Sequence, residues 1–116
     1  MEIVGIGMEM VDIGRFEAAM ERRGRRLLER LFTAAEIEYG LSRRRPAAAL
    51  SARFAAKAAL RKALGRAVPF RHVEVGRDGL GRPVLVGACL EGVAASLSMS
   101  HDGGVSLASV IVGRTP

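Results

Sequence analysis

The sequence is short of cysteine, lysine, aromatic residues and long apolar runs. Its single cysteine, Cys89, excludes an internal disulfide and a cysteine-based zinc site. No apolar run approaches the roughly 18 residues that a membrane-spanning helix needs. The start, Met1-Glu2-Ile3-Val4-Gly5, places no basic segment ahead of its apolar stretch and so does not read as a secretory signal. These absences predict a soluble, cytoplasmic chain with no membrane partner. Four phenylalanines and Tyr39 are the only aromatics, too few for the platforms on which single-stranded nucleic acid stacks, so nucleic acid is not an expected partner.

What is present suits one domain spanning residues 1–116: 49% apolar and 26% charged residues describe a globular rather than a disordered chain. The net charge is +6, and 16 of the 18 basic residues are Arg, leaving Lys57 and Lys62 as the only lysines. An excess of this sign implies an anionic partner, either an acidic protein or a phosphorylated ligand once nucleic acid is set aside.

Along the chain, Glu2 to Gly7 predicts a short strand, and Asp12 stands where a helix N-cap would precede Ile13, Phe16 and Met20. Helical spacing continues through Leu27, Leu28, Leu31 and Phe32. Thr33-Ala-Ala-Glu36 is a capping box opening a short helix through Tyr39. Pro46 begins the longest helix, which runs to Leu64 and stops at Gly65. The period then changes to two. Val73 and Val75 alternate with polar neighbours, Asp78-Gly79 and Gly81 give a turn, and Pro83 to Val86 is a second strand. Cys89 to Ala95 reads as a short helix, followed by an alternating strand through Met99, a turn at His101-Asp102-Gly103-Gly104 and an apolar last strand from Val105 to Val112. Strand, helices and then hairpin-connected strands predict an α+β fold with an antiparallel sheet and one long helix.

Several stretches could carry chemistry. Arg53, Lys57 and Arg61 recur every four residues and form one stripe on the long helix, readable as a solvated face or as a polyphosphate cradle, with Lys62 beside it. Gly5-Ile6-Gly7 lacks the third glycine and the parallel strand of a dinucleotide loop. Glu9 and Asp12 lie at a strand-to-helix junction, where carboxylates hold metals or cap helices. Ser100-His101-Asp102 cannot form a catalytic relay, because consecutive side chains do not reach the required geometry. His101 could bond a phosphate or be an ordinary turn residue. Arg22, Arg23, Arg25, Arg26 and Arg30, with Arg43-Arg44-Arg45, form basic clusters that also read as wet helix faces and loops.

Together these stretches resemble the holo-acyl-carrier-protein synthase family of 4'-phosphopantetheinyl transferases. The opening signature is matched by Gly5-Ile6-Gly7-Met8-Glu9-Met10-Val11-Asp12-Ile13-Gly14-Arg15-Phe16, and a second segment by Phe32, Thr33, Glu36 and Tyr39. Arg53-Phe54-Ala55-Ala56-Lys57-Ala58-Ala59, with Lys62-Ala63-Leu64-Gly65, matches the family's hallmark helix, and Ser96-Leu97-Ser98-Met99-Ser100-His101 resembles its Ser-x-Ser-His strand. The resemblance implies an α+β protomer that assembles into trimers with active sites at the subunit interfaces. It implies Mg²⁺-dependent transfer of phosphopantetheine from coenzyme A to a serine of an acyl carrier protein. By resemblance Lys62 and Glu9 are catalytic, Arg53, Lys57, Lys62 and His101 bind the coenzyme, and Arg15 and Arg22 face an acidic carrier protein.

The chain departs from the family at both metal ligands. Glu9 replaces the metal-binding Asp, and Ala58 replaces the metal-binding Glu, so Mg²⁺ binding is expected to be weakened or lost and Lys62 to be left free for an anion. The loop Arg66-Ala67-Val68-Pro69, near the coenzyme phosphates by resemblance, is shorter than the family's. Alternative readings are therefore a binder of carrier protein or coenzyme A without transfer, or an enzyme acting on a carrier-tethered intermediate.

Overall fold

A computed structural model describes residues 2–114. Strand β1 (Glu2–Asp12) leads into α1 (Ile13–Arg23), α2 (Arg25–Leu31), α3 (Ala34–Ser42) and the long α4 (Pro46–Leu64). A hairpin of β2 (Glu74–Arg77) and β3 (Pro83–Val86) follows, and then the hairpin of β4 (Val93–Asp102) and β5 (Val105–Arg114). The helix boundaries follow from local chemistry. The Asp12 carboxylate accepts a hydrogen bond from the Arg15 N–H at 2.8 Å and caps α1. Thr33 and Glu36 exchange the two bonds of a capping box at the start of α3. Gly65, with φ +70°, ends α4 in the left-handed region that favours glycine.

All strand pairing is antiparallel, but it divides into two sheets. One has the order β1-β5-β4 and the other holds β2 and β3 alone. The first strand runs on to Asp12, well past Gly7, because β5 pairs with it along the whole length. The segment expected as a helix over Cys89 to Ala95 is instead a three-residue 3-10 turn, Ala88–Leu90, and β4 begins at Val93. The reason is tertiary: Gly92 takes φ +77°, and Val93 and Ala94 then pair with Arg114 and Gly113.

Helix α4 lies across the inner face of the larger sheet. Its small residues Ala55, Ala56, Ala59 and Ala63 are buried with Leu60 against Ala108, Val110 and Val112 of β5. The approach to β1 is closer still: a Cβ added at Gly5 or Gly7 would come within 1.9 Å of the Ala63 or Ala59 carbonyl oxygen. Only glycine allows β1 to lie against the helix there. A second cluster, Phe16, Leu28, Phe32, Ile37 and Leu50, holds α1, α2 and α3 against α4. Fully burying a side chain such as Phe32 or Leu50 contributes about 1.5–3 kcal/mol. The outer face of the sheet is different, since Ile6, Met8, Met10 and Ile111 stand exposed there. Among the described residues no helix is long and apolar enough to cross a membrane.

Candidate functional site

The residues expected to form one site fall on two flanks of α4. Arg53 and Lys62 are nine positions apart, two and a half helical turns, so they point to opposite sides. The sheet repeats the division, because β1 and β4 are its two edges with β5 between them. Glu9 sits opposite Ala108 and His101 opposite Ser106. Both partners are fully buried on the helix side, so Glu9 and His101 share the inner face but stand at opposite edges.

On the β1 flank, the Lys62 ammonium lies 3.1 Å from a Glu9 carboxylate oxygen and donates to the Met8 carbonyl at 3.1 Å. Lys62 is not left free by Ala58, as the sequence suggested. Position 58, one turn earlier, is Ala, and the carboxylate partner comes across space from Glu9, because Gly5 and Gly7 bring β1 so close. Asp12 does not join them: its carboxylate is used as the α1 cap. Glu9, Asp12, Arg15, Phe16 and Phe54 border an open concavity of about 600 Å³. Both charged groups stay hydrated, with side-chain exposures of 56% for Lys62 and 29% for Glu9.

The β4 flank is more enclosed. Arg53, only 5% exposed, lays its guanidinium 4.0 Å from the centre of the Tyr39 ring. Arg43 stacks on the same ring at 5.0 Å. With Arg44, Arg45, Arg77 and His101 these residues line a cleft of about 560 Å³. The buried Nε of Arg53 has no hydrogen-bond partner among the described residues. A donor in that position normally has an acceptor, and in so cationic a cleft an anion would supply it. The Arg77 hydrogen bond holds the Tyr39 phenol below its ordinary range; partial burial opposes this, and Arg53 and Arg43 add to it.

Lys57 belongs to neither flank. The stripe drawn from the sequence breaks here, because the side chain is 1% exposed and bonds to Glu36 and to the Leu31 and Phe70 carbonyls, each carbonyl at 2.9 Å. Its place in a solvated face or an open cradle is therefore corrected. Helical spacing identifies a shared side of α4 but does not say whether α2, α3 and the 3-10 turn Phe70–His72 cover it. Burial pushes the Lys57 ammonium below its usual range, and the Glu36 hydrogen bond and charge oppose that. Arg61 stacks 4.4 Å from the Phe70 ring.

Of the basic residues on α1 and α2, Arg15 borders the Glu9 concavity, whereas Arg22 lines a separate groove with Arg23, Arg26 and Arg30. The loop after Gly65 buries Val68 in the core and sends Arg66 to the Cys89 carbonyl at 3.2 Å. Tyr39 and Arg77 were not foreseen as parts of the cleft. Tyr39 could have been noticed one turn beyond the capping-box Glu36; nothing local marks Arg77.

A magnesium ion takes oxygen ligands, commonly one or two protein carboxylates with phosphate oxygens and water. Here Glu9 is already neutralised by Lys62, Asp12 spends one oxygen on the α1 cap, and Ala58 offers no ligating atom. No cluster of three His, Cys, Asp or Glu side chains exists among the described residues. The donor set does not fit a protein-held magnesium ion. What the chain presents is a cationic cleft on the β4 flank and a charge-paired Lys62 on the β1 flank.

The profile of the 4'-phosphopantetheinyl transferase superfamily matches residues 5–109. The holo-[acyl-carrier-protein] synthase of Trichlorobacter lovleyi is 42% identical over 122 residues, covering 95% of this chain and 97% of that protein. Its counterpart from Thermus thermophilus is 38% identical over 117 residues, covering 95% and 93%. Among solved structures, the holo-(acyl-carrier-protein) synthase of Bacillus anthracis in complex with CoA (3',5'-ADP) superposes with a TM-score of 0.87 at 29% identity, over 99% of this chain and 100% of that one. The Neisseria meningitidis synthase gives 0.88 at 31% identity, over 97% and 99%. The chain belongs to the 4'-phosphopantetheinyl transferase superfamily.

Proposed function

We propose that this chain transfers 4'-phosphopantetheine from coenzyme A to a serine of an acyl carrier protein. The observation that carries the reading is the arginine-lined cleft beside α4, in a chain that matches holo-acyl-carrier-protein synthases over nearly its whole length. Arg53 and His101 would hold the adenosine bisphosphate half of the coenzyme, where the buried Arg53 Nε calls for an acceptor. Lys62 would lie against the pyrophosphate. The serine oxygen attacks the β-phosphorus, a new P–O bond forms, and the P–O bond to 3',5'-adenosine bisphosphate breaks. Lys62 neutralises charge gathering on the leaving phosphate, and Glu9, beside it, takes the serine proton. No step is assigned to Mg²⁺. Lys57 keeps a structural role in this scheme.

One chain holds the two halves on opposite flanks, so a single coenzyme would draw its contacts from two copies. We therefore propose a homotrimer, in which the exposed Ile6, Met8, Met10 and Ile111 are covered by a neighbouring copy and each site forms between protomers. Arg15 and Arg22 would meet the acidic carrier protein, and the proposal places the chain in the cytoplasm beside its substrates.

The test is the intact mass of an apo acyl carrier protein after incubation with this chain, coenzyme A and Mg²⁺. A gain equal to the phosphopantetheine arm is the expected result. No gain with several carrier proteins, while an active relative modifies them, would sink the transfer reading. A second reading is favoured by one observation: Ala58 offers no ligating atom and Glu9 is held by Lys62. It is a binder of coenzyme A or carrier protein without transfer, and calorimetry with coenzyme A separates it from an inert scaffold.

A further inference from the structure

Lys57 is fully buried, yet its ammonium has an acceptor for each proton: the Leu31 and Phe70 carbonyls and the Glu36 carboxylate. Glu36, 2% exposed, is equally committed. The oxygen that meets Lys57 also accepts the Thr33 N–H at 2.9 Å, and the other accepts the Val75 N–H at 2.8 Å. One ion pair thus ties together the end of α2, the start of α3, the middle of α4, the turn before β2 and β2 itself. A desolvated pair of this kind roughly breaks even against an apolar pair of the same volume, so stability alone does not account for it.

Its neighbours suggest what it does. Tyr39 stands one turn beyond Glu36 in α3, Arg53 one turn before Lys57 in α4, and Arg77 two residues after Val75 in β2. A small cleft of about 230 Å³ joins the two sets, with Glu36 lining it beside Tyr39, Arg53 and Arg77. We infer that the Glu36–Lys57 pair is the positioning unit of the cationic cleft, setting α3, α4 and β2 so that Tyr39 and Arg77 close around Arg53. The inference rests on the proposed reading of that cleft as the coenzyme's anion site. Neither Glu36 nor Lys57 would touch the substrate. Their effect passes through Tyr39, Arg53 and Arg77.

Tyr39 is the only tyrosine and the chain has no tryptophan, so phenolate absorbance during an alkaline titration reads this one side chain. In the native protein the Arg77 hydrogen bond holds its titration below that of an ordinary phenol. In E36Q the titration should move up toward the ordinary range, and affinity for 3',5'-adenosine bisphosphate should fall about tenfold, with native far-ultraviolet circular dichroism. Because E36Q leaves Lys57 buried without its counter-charge, the double variant E36Q/K57M, which removes both charges at similar volume, is measured alongside. It should show the same Tyr39 displacement. A folded variant of either kind whose Tyr39 titrates as in the native protein would overturn the inference. If the native protein itself fails to bind the bisphosphate, the coenzyme reading falls, while the Tyr39 titration still decides whether the pair positions the cleft.

Discussion

The two flanks of α4 treat their cations differently. On the β4 side Arg53 is buried, stacked on an aromatic ring and enclosed by further arginines, with its Nε left without an acceptor among the described residues. On the β1 side Lys62 and Glu9 sit half in water and satisfy each other. Binding an anion at the first flank breaks no ion pair among the described residues. At the second it requires the Lys62–Glu9 contact to open, which costs little because an exposed pair is worth only about 0–1 kcal/mol. A preset flank suits recognition of a fixed part of a ligand, and a loosely held pair suits groups that must follow charge as it moves.

If this division is right, the largest effect should come from K62A. Turnover should fall on the order of 100- to 1000-fold while coenzyme affinity changes only a few-fold, checked by single-turnover transfer and calorimetry. Equal losses of affinity and turnover would erase the distinction between the flanks. R53Q should show the opposite split, with affinity for 3',5'-adenosine bisphosphate lower by about 10- to 100-fold as a charge-assisted contact is lost. A smaller gain is expected from A58E. A carboxylate there lies one turn from Lys62 on the same side, competes for its ammonium and frees Glu9. Magnesium affinity in the presence of 3',5'-adenosine bisphosphate should rise about tenfold. Unchanged calorimetry would mean that something other than the missing carboxylate limits metal binding.

The smallest effect lies away from both flanks and serves as their control. The Asp78 carboxylate accepts the Leu80 and Arg82 N–H groups at 2.8 and 2.9 Å in the β2–β3 turn. The Arg82 backbone N–H, with the Leu80 backbone N–H and the Arg82 side chain, holds it below the usual carboxylate range. A lowered carboxylate stabilises the fold above its unfolded pKa and loses that contribution as pH falls through the folded value. D78N should therefore melt slightly below the native protein at neutral pH and match it in strong acid, with coenzyme binding unchanged at neutral pH. A difference that persists in strong acid would assign the effect to something other than this carboxylate.

Much of the fold was legible because its punctuation is local. Asp12, the Thr33–Glu36 box, Pro46 and Gly65 act within one turn of the chain, and each ends or begins the helix it was expected to. The Cys89–Ala95 segment was misread because its short apolar run suits a helix or a strand, and pairing with the end of β5 decided the matter. The site was less legible, because its geometry depends on contacts between residues far apart in the chain. Lys57 and Lys62 show this best: same residue type, same helix, five positions apart.

The sequence by itself determined the α+β order of elements and the superfamily, since these depend on residue identity and short-range spacing. Only the tertiary structure decided that Lys57 is locked in the core by Glu36, that Lys62 takes Glu9 as its partner, and that Arg53 and Lys62 face opposite sides. Burial and charge pairing depend on which distant elements pack against a residue. Glu36 lies 21 residues from Lys57 and Glu9 53 residues from Lys62, distances that no local pattern can span.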